Sequence, residues 1–244
     1  LIEDCYATGK VTGYNTNIGG LIGNNYSSNE IVNSYAIGVV DGTGPNVGGL
    51  VGSNSGTVEN CYSQSTVTSS SNNTGGFIGT NGGTVNDCYS SSAVTSSGDN
   101  TGGLIGSNGG TVENCFSSSN VNSTNDYIGG LIGYNNGTVN TSFTTTGNVT
   151  GNNYVGGLVG FNESIGSLNN CYSMASVTGV NRVGGLVGGN RATVDKCYAA
   201  GVVSATGTGT GGLVGWNGEF YGGYGTITSS YWNTETSSQG SSTG

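Results

Sequence analysis

The sequence predicts an all-β fold, a parallel β-solenoid (β-helix) of about 27 residues per coil. Three observations carry this. The motif (Val/Ile/Thr)-Gly-Gly-(Leu/Phe)-(Val/Ile)-Gly occurs eight times, with its first glycine at Gly19, Gly48, Gly75, Gly102, Gly129, Gly156, Gly184 and Gly211, in steps of 29, 27, 27, 27, 27, 28 and 27 residues. Each copy continues in the same order: a variable residue and Asn, a Gly-rich turn, Thr-Val, two polar residues, Cys-aromatic-Ser/Ala, then Val-Thr. The composition, 50 glycines and one proline in 244 residues, suits corners rather than helices, and no window keeps a 3.6-residue apolar period.

Taken in order, each coil contains three short β-prone stretches separated by Gly, Asn and Ser turns. A strand stacked on its counterpart in the next coil at ~4.8 Å makes eight coils a rod of roughly 40 Å. Parallel crossovers favour a right-handed coil. The residue two after the Cys position is always small (Ala7, Ala36, Ser63, Ser90, Ser117, Thr144, Ser173, Ala199), and a Val follows near six, which places both on an inward face. The glycine motif is not a phosphate loop, because no Lys-Ser/Thr and no helix follow it.

Four columns follow from stacking such coils. Asn25, Asn54, Asn81, Asn108, Asn135, Asn162, Asn190 and Asn217 occupy one position, where carboxamides can bond from coil to coil and Asn accommodates the left-handed backbone of a sharp corner. Cys5, Cys61, Cys88, Cys115, Cys171 and Cys197 share another with Ser34 and Ser142. Directly stacked residues keep Cβ atoms near 4.8 Å, farther than the ~3.8 Å usual in a disulfide, so buried free thiols are expected. The next residue is Tyr or Phe in every copy, a stacking column. The residue before the ladder Asn changes from small or polar to Tyr134, Phe161 and Trp216 towards the C-terminus, interrupted by Gly189. A variable corner position should face water, which makes these three a candidate partner or glycan surface.

The repeat pattern covers residues 1–233 as a single solenoid domain, and 234–244 read as a Ser/Gly-rich tail or linker. The opening "LIEDCYATGKVTG" already matches the second half of a coil, which predicts an open edge that continues into more chain or docks on a neighbour. The C-terminal end is expected to be less regular, with Phe220, Tyr221 and Tyr224 clustered, either capping the array or forming the complementary half of a head-to-tail contact.

The text "GGLVG…N…G-T-V-x-N-C-Y-S…V-T" resembles the GLUG repeat from about residue 18 to 233. GLUG repeats occur in large surface and secreted proteins of bacteria and archaea, including repeat regions of immunoglobulin A peptidases and hemagglutinin-like adhesins. The resemblance therefore implies a cell-surface or extracellular β-solenoid module of a bacterium or archaeon, often a spacer or adhesive stalk beside other domains. The closing "SSYWNTETSSQG" looks like the segment that often ends such arrays.

Function classes narrow accordingly. A formal charge of −9, with only Lys10, Arg182, Arg191 and Lys196 basic, gives no attraction to nucleic acid or anionic lipid, and no apolar run is long enough for direct membrane insertion. The absence of histidine excludes Ser-His-Asp and Cys-His sites and His-based metal binding. Glu59, Asp87, Glu113 and Asp195 flank the Cys motif, but Asn and Thr take the same places, as on a solvated edge. No cofactor, metal or catalytic residue is expected. The leading expectation is a non-enzymatic structural module, the stalk of an adhesin or the body of a fibre, with flanking domains or head-to-tail copies of itself as partners. A carbohydrate-binding module using the aromatic stripe is the alternative. Ice binding is weaker: Thr12, Thr68, Thr95, Thr150 and Thr178 form a column that Asp41, Asn122 and Ser204 break.

Overall fold

In the computed structural model, which describes residues 1–220 and 223–242, the chain is a stack of parallel coils. Coils are numbered here by their Gly-Gly pair. Coil 3 shows the unit: strands Thr74–Gly75, Ile78–Asn81, Thr84–Asn86, Tyr89–Ser90 and Ala93–Ser96 belong to five separate sheets, I to V in that order. Sheets III and IV hold nine strands and the other three hold eight, all paired in parallel and in register, as in Val85↔Val112 and Gly75↔Gly102.

The coil thus has five strands rather than the three expected from sequence. Two of the apparent stretches are each cut by a corner. At the Gly-Gly pair there is no room for a side chain: a Cβ on Gly75 would lie 1.9 Å from Ile78 O, and one on Gly76 would lie 2.2 Å from Gly103 O. Between Thr-Val-x and Cys-Tyr, the residue before the Cys turns the chain in the left-handed region, with φ of 52° at Asn60, 51° at Asp87 and 52° at Lys196. A second left-handed corner precedes each Gly-Gly pair, at Asn17, Asn46, Asn73, Asn100, Tyr127, Tyr154, Arg182 and Gly209. The ladder asparagines are not among these. Asn81, for example, is the last residue of an extended strand.

From Asn25 to Asn190 those asparagines are buried, Asn54 at 1% and Asn135 at 0% exposure, and Asn217 in the last coil is half-buried. Each Nδ2 from Asn25 to Asn190 donates to the Oδ1 of the next coil's Asn at 2.7–2.9 Å. The same side chain closes its own turn: Gly110 N donates to Asn108 Oδ1, and Asn108 Nδ2 donates to Gly110 O. A position that must give and accept at once, out of water, suits a carboxamide and not a carboxylate.

The main core stacks Leu50, Phe77, Leu104, Leu131, Leu158, Leu186 and Leu213 against the aliphatic residues of sheets II and III and the cysteines. Each such side chain, once buried, contributes about 1.5–3 kcal/mol. Smaller clusters line sheets I and V, around Val121, Ile128 and Val155 in one and Val40, Val47 and Val67 in the other. Buried serines lie between, satisfied by one another and by the glycine corner: Ser90 Oγ and Ser119 Oγ are 3.0 Å apart, and Ser92 Oγ donates to Gly76 O at 2.9 Å. All six cysteines are free, five of them buried and Cys5 exposed. Cys88 Sγ donates to Asn86 O, and where Ser142 replaces Cys its Oγ donates to Asn140 O in the same way, which is why either residue fits. On the outside of sheet IV, rings stack from Tyr6 to Tyr172 at 4.7–5.3 Å with interplanar angles of 5–9°.

At the C-terminal end, Glu219–Phe220 pairs antiparallel with Gly223–Tyr224, while Tyr221 and the last two residues lie outside the described residues. Thr226–Thr228 and Tyr231–Trp232 then supply the ninth strands of sheets III and IV. Asn233 caps a single helical turn, α1 (Thr234–Ser237), accepting from Glu235 N and Thr236 N. The chain beyond it reaches the three remaining sheets: Gln239 Nε2 donates to Val203 O, Gly212 N to Ser241 O, and Val214 N to Ser242 Oγ. Residues up to 242 therefore lie against the last coil, with bonds to the edge strands that coil would otherwise present to solvent.

Candidate binding surface

Two columns run side by side along the outside of the rod. One is the left-handed corner before each Gly-Gly pair; the other is the residue before the ladder Asn. Their adjacency is visible in coil 1, where Asn17 Nδ2 donates to Asn24 Oδ1 at 2.8 Å. In coil 5 the same two places hold Tyr127 and Tyr134, whose rings meet edge to face at 6.1 Å. From there aromatic and cationic residues enter both columns, Tyr154 and Arg182 in the first before Gly209, and Phe161 and Trp216 in the second on either side of Gly189.

These side chains pack as a small outer cluster. Tyr127 stacks on Tyr154 at 5.1 Å and Tyr134 on Phe161 at 6.0 Å, while Tyr154 meets Phe161 edge-on at 5.0 Å. Phe161, expected at a wet corner, is only 4% exposed, because Tyr134, Tyr127 and Tyr154 surround it. Gly189 does not simply interrupt the stripe. A Cβ there would come within 2.5 Å of Tyr154 Cδ1 and 2.7 Å of Phe161 Cδ2, and Phe161 and Trp216 close to 6.5 Å across it. Trp216 and Tyr134 are half-buried.

Half of the chain's four basic residues sit here. The Arg182 guanidinium lies 4.5 Å from the Tyr154 ring centre and 5.2 Å from that of Trp216, and its Nη1 donates to Tyr154 Oη. Arg191 lies 5.4 Å from Phe161 and 5.5 Å from Trp216, and pairs with Glu163 at 3.6 Å. Such contacts hold a cation over a ring quadrupole. Glu163 also accepts from Tyr134 Oη at 3.4 Å. Burial, then the Glu163 charge, pushes the Tyr134 phenol above its ordinary range; burial, then Tyr154, does the same for Tyr127.

A groove of about 500 Å³ opens where the polar half of the two columns meets the aromatic half, lined by Asn73, Asn100, Ser107, Tyr127, Tyr134 and Arg191 among others. Its acidic rim belongs to a further ladder in which a side-chain oxygen holds the next coil's backbone: Asp99 N donates to Asn72 Oδ1 and Asp126 N to Asp99 Oδ1. Among the described residues no three of His, Cys, Asp and Glu converge as a metal site. Asp195 instead accepts from Thr228 Oγ1 and lies 3.5 Å from Lys196, which hold its carboxyl below the usual range.

The family model of the GLUG motif matches residues 43–68 and 151–178. The chain carries GLUG repeats. Each matched segment runs from the approach to sheet I through a strand of sheet V, so one GLUG unit corresponds to one coil. No curated protein and no solved structure gives a significant match. The GLUG text describes the frame of glycines, ladder Asn and Cys-aromatic pair, whereas Tyr127, Tyr154 and Arg182 occupy a position that varies between repeats. They were nevertheless readable: the residue two places before the Gly-Gly pair is Asn four times, then Tyr, Tyr, Arg and Gly.

Proposed function

We propose that this GLUG-repeat solenoid is a non-enzymatic extracellular structural module, the stalk of a cell-surface adhesin or the body of a surface fibre in a bacterium or archaeon. The observation that supports it best is the unbroken register of five sheets through eight coils, reinforced by a buried amide ladder at every step. Strands of this kind couple each coil only to its neighbours, so length and stiffness can be extended by repetition. The outer surface is mainly Ser, Thr, Asn and Gly with a net negative charge, which resists adventitious association. Because the tail bonds to the last coil, attachment to flanking domains of a longer chain is favoured over head-to-tail polymerisation. Antibody labelling of intact source cells, before and after protease shaving, tests the reading: surface signal lost on shaving supports it, and signal only after lysis would falsify it. A second reading, carbohydrate binding, is supported by the outer aromatic cluster and its groove.

A further inference from the structure

We infer that the step in coils 4 and 5, where Tyr127 and Tyr134 rise beside Asn100 and Ser107, is a binding site for a neutral oligosaccharide. This rests on the carbohydrate reading and places it at the Tyr134 end of the Tyr134–Phe161–Trp216 stripe, away from Trp216. Tyr127 and Tyr134 each have one face against the next ring, Tyr154 and Phe161 respectively. On the other side the register places Ser107 beside Tyr134, and the corner before Tyr127 is Asn100; neither supplies a ring. Both tyrosines line the groove with that polar floor, so each is the terminal ring of its stack. A pyranose presents a patch of axial C–H groups to an aromatic face and equatorial hydroxyls around its rim, which require paired donors and acceptors.

The floor supplies those acceptors and donors. In the outer carboxamide ladder, Asn46 Nδ2 donates to Asn17 Oδ1, Asn73 to Asn46, and Asn100 to Asn73, at 2.7–2.8 Å. The series ends at coil 4, because the next residue in the column is Tyr127. Among the described residues no group donates to Asn100 Oδ1. Arg191 Nε, of a residue lining the same groove, is buried and has no hydrogen-bond partner among the described residues either. Successive floor residues are one coil apart, ~4.8 Å, comparable with the length of one pyranose unit, so a chain laid along the rod meets an equivalent group at each sugar. Anionic saccharides are disfavoured: the Glu163 carboxylate is offset by Arg191, but Asp99 adds a further negative charge and the whole chain carries −9.

The test is a glycan array followed by calorimetric titration of the full chain with cellohexaose, mannohexaose, xylohexaose and, as the anionic probe, hexagalacturonate. A neutral hexasaccharide is expected to bind at one site, and Tyr127→Asn, which keeps a residue type already found at this corner, should weaken it by roughly tenfold or more. Ser107→Tyr should weaken it similarly by filling the floor, and it decides the case if circular dichroism shows Tyr127→Asn misfolded. Tyr89→Thr, on the sheet IV column, should leave affinity unchanged. Neutral binding that survives both groove variants overturns the assignment while leaving carbohydrate binding intact. Binding of hexagalacturonate alone overturns the neutral class, and no binding to any array glycan removes the site and the carbohydrate reading together.

Discussion

At the left-handed corner before each Gly-Gly pair, coils 1–4 and coils 5–7 share a backbone and differ in chemistry. The φ values are 58–65° for Asn17, Asn46, Asn73 and Asn100 taken together with the range at Tyr127, Tyr154 and Arg182 of 55–63°. Yet the first set forms a surface ladder of amide bonds, and the second a cluster of rings and guanidinium groups. The corner is held by what lies beneath it, chiefly the bonds of its own N–H and C=O to neighbouring coils, such as Tyr127 N to Asn153 O and Thr101 N to Tyr127 O. A side chain outside that frame is free to change. The inner Asn ladder has no such freedom, since it is buried and closes its turn from both directions.

The largest effect should therefore come from the inner ladder. Asn108→Ala breaks the bonds to Asn81 and Asn135 and leaves Gly110 N without its acceptor. The expected loss is about 2–4 kcal/mol, read from chemical denaturation. A cost below that of the outer variant Asn73→Ala would reverse the comparison. Next comes Gly189→Ser, which installs the residue found at the matching place in coils 2 and 4. Its Cβ would meet Tyr154 and Phe161, so about 1–3 kcal/mol should be lost here although serine is accommodated at Ser53 and Ser107. Tyr127→Asn should lie within about 1 kcal/mol of the parent, because the new carboxamide can extend the outer ladder to Asn100 while the stack on Tyr154 is lost.

Native alkylation sharpens the same contrast between frame and surface. Cys5 is exposed and should react at once, whereas Cys61, Cys88, Cys115, Cys171 and Cys197 should react only after denaturation, without any reductant. Burial pushes the Cys88 thiol up, further lowering its thiolate fraction. Mass spectrometry showing native labelling of a buried thiol, or a bridge between Cys61 and Cys88, would contradict the packing described.

The period and the conserved order of residue types within each copy made the solenoid legible, because stacking in register forces every column to repeat. The five strands were hidden because corners are made by backbone conformation, and residues as different as Asp87, Thr141, Lys196 and Ser229 adopt the same left-handed turn. The Asn ladder was readable as a column, but its extended backbone was not, since Asn suits both conformations. Phe161 was placed on the surface because much of its cover comes from Tyr127, 34 residues earlier, and from Tyr134, which reach it only after the coils stack, while Tyr154 of its own coil closes the remaining side. Reading down the column before Gly-Gly, rather than along one repeat, reveals the change from Asn to Tyr and Arg and with it the step that forms the groove.

The smallest expected effect is read by titrating the phenols. Tyr127 and Tyr134 in the aromatic half, and Tyr62 in the sheet IV stack, have phenols raised above the ordinary value, in each case first by burial. A phenol raised in the folded state binds its proton more tightly there than in the unfolded chain. Its contribution is fully present below the unfolded value near pH 10 and is lost as pH rises from there through the folded value. Glu163 adds to the shift of Tyr134 through its charge and its hydrogen bond, while Arg191 opposes it. Ultraviolet difference titration should thus show a late-ionising set of phenols, and Tyr134→Phe should remove one member of it and flatten part of the alkaline decline in stability. Replacing Glu163 by Gln should shift the remaining Tyr134 transition to lower pH, since the nearby negative charge disappears. Movement to higher pH would mean that the Glu163 contact does not act on the phenol as its geometry requires.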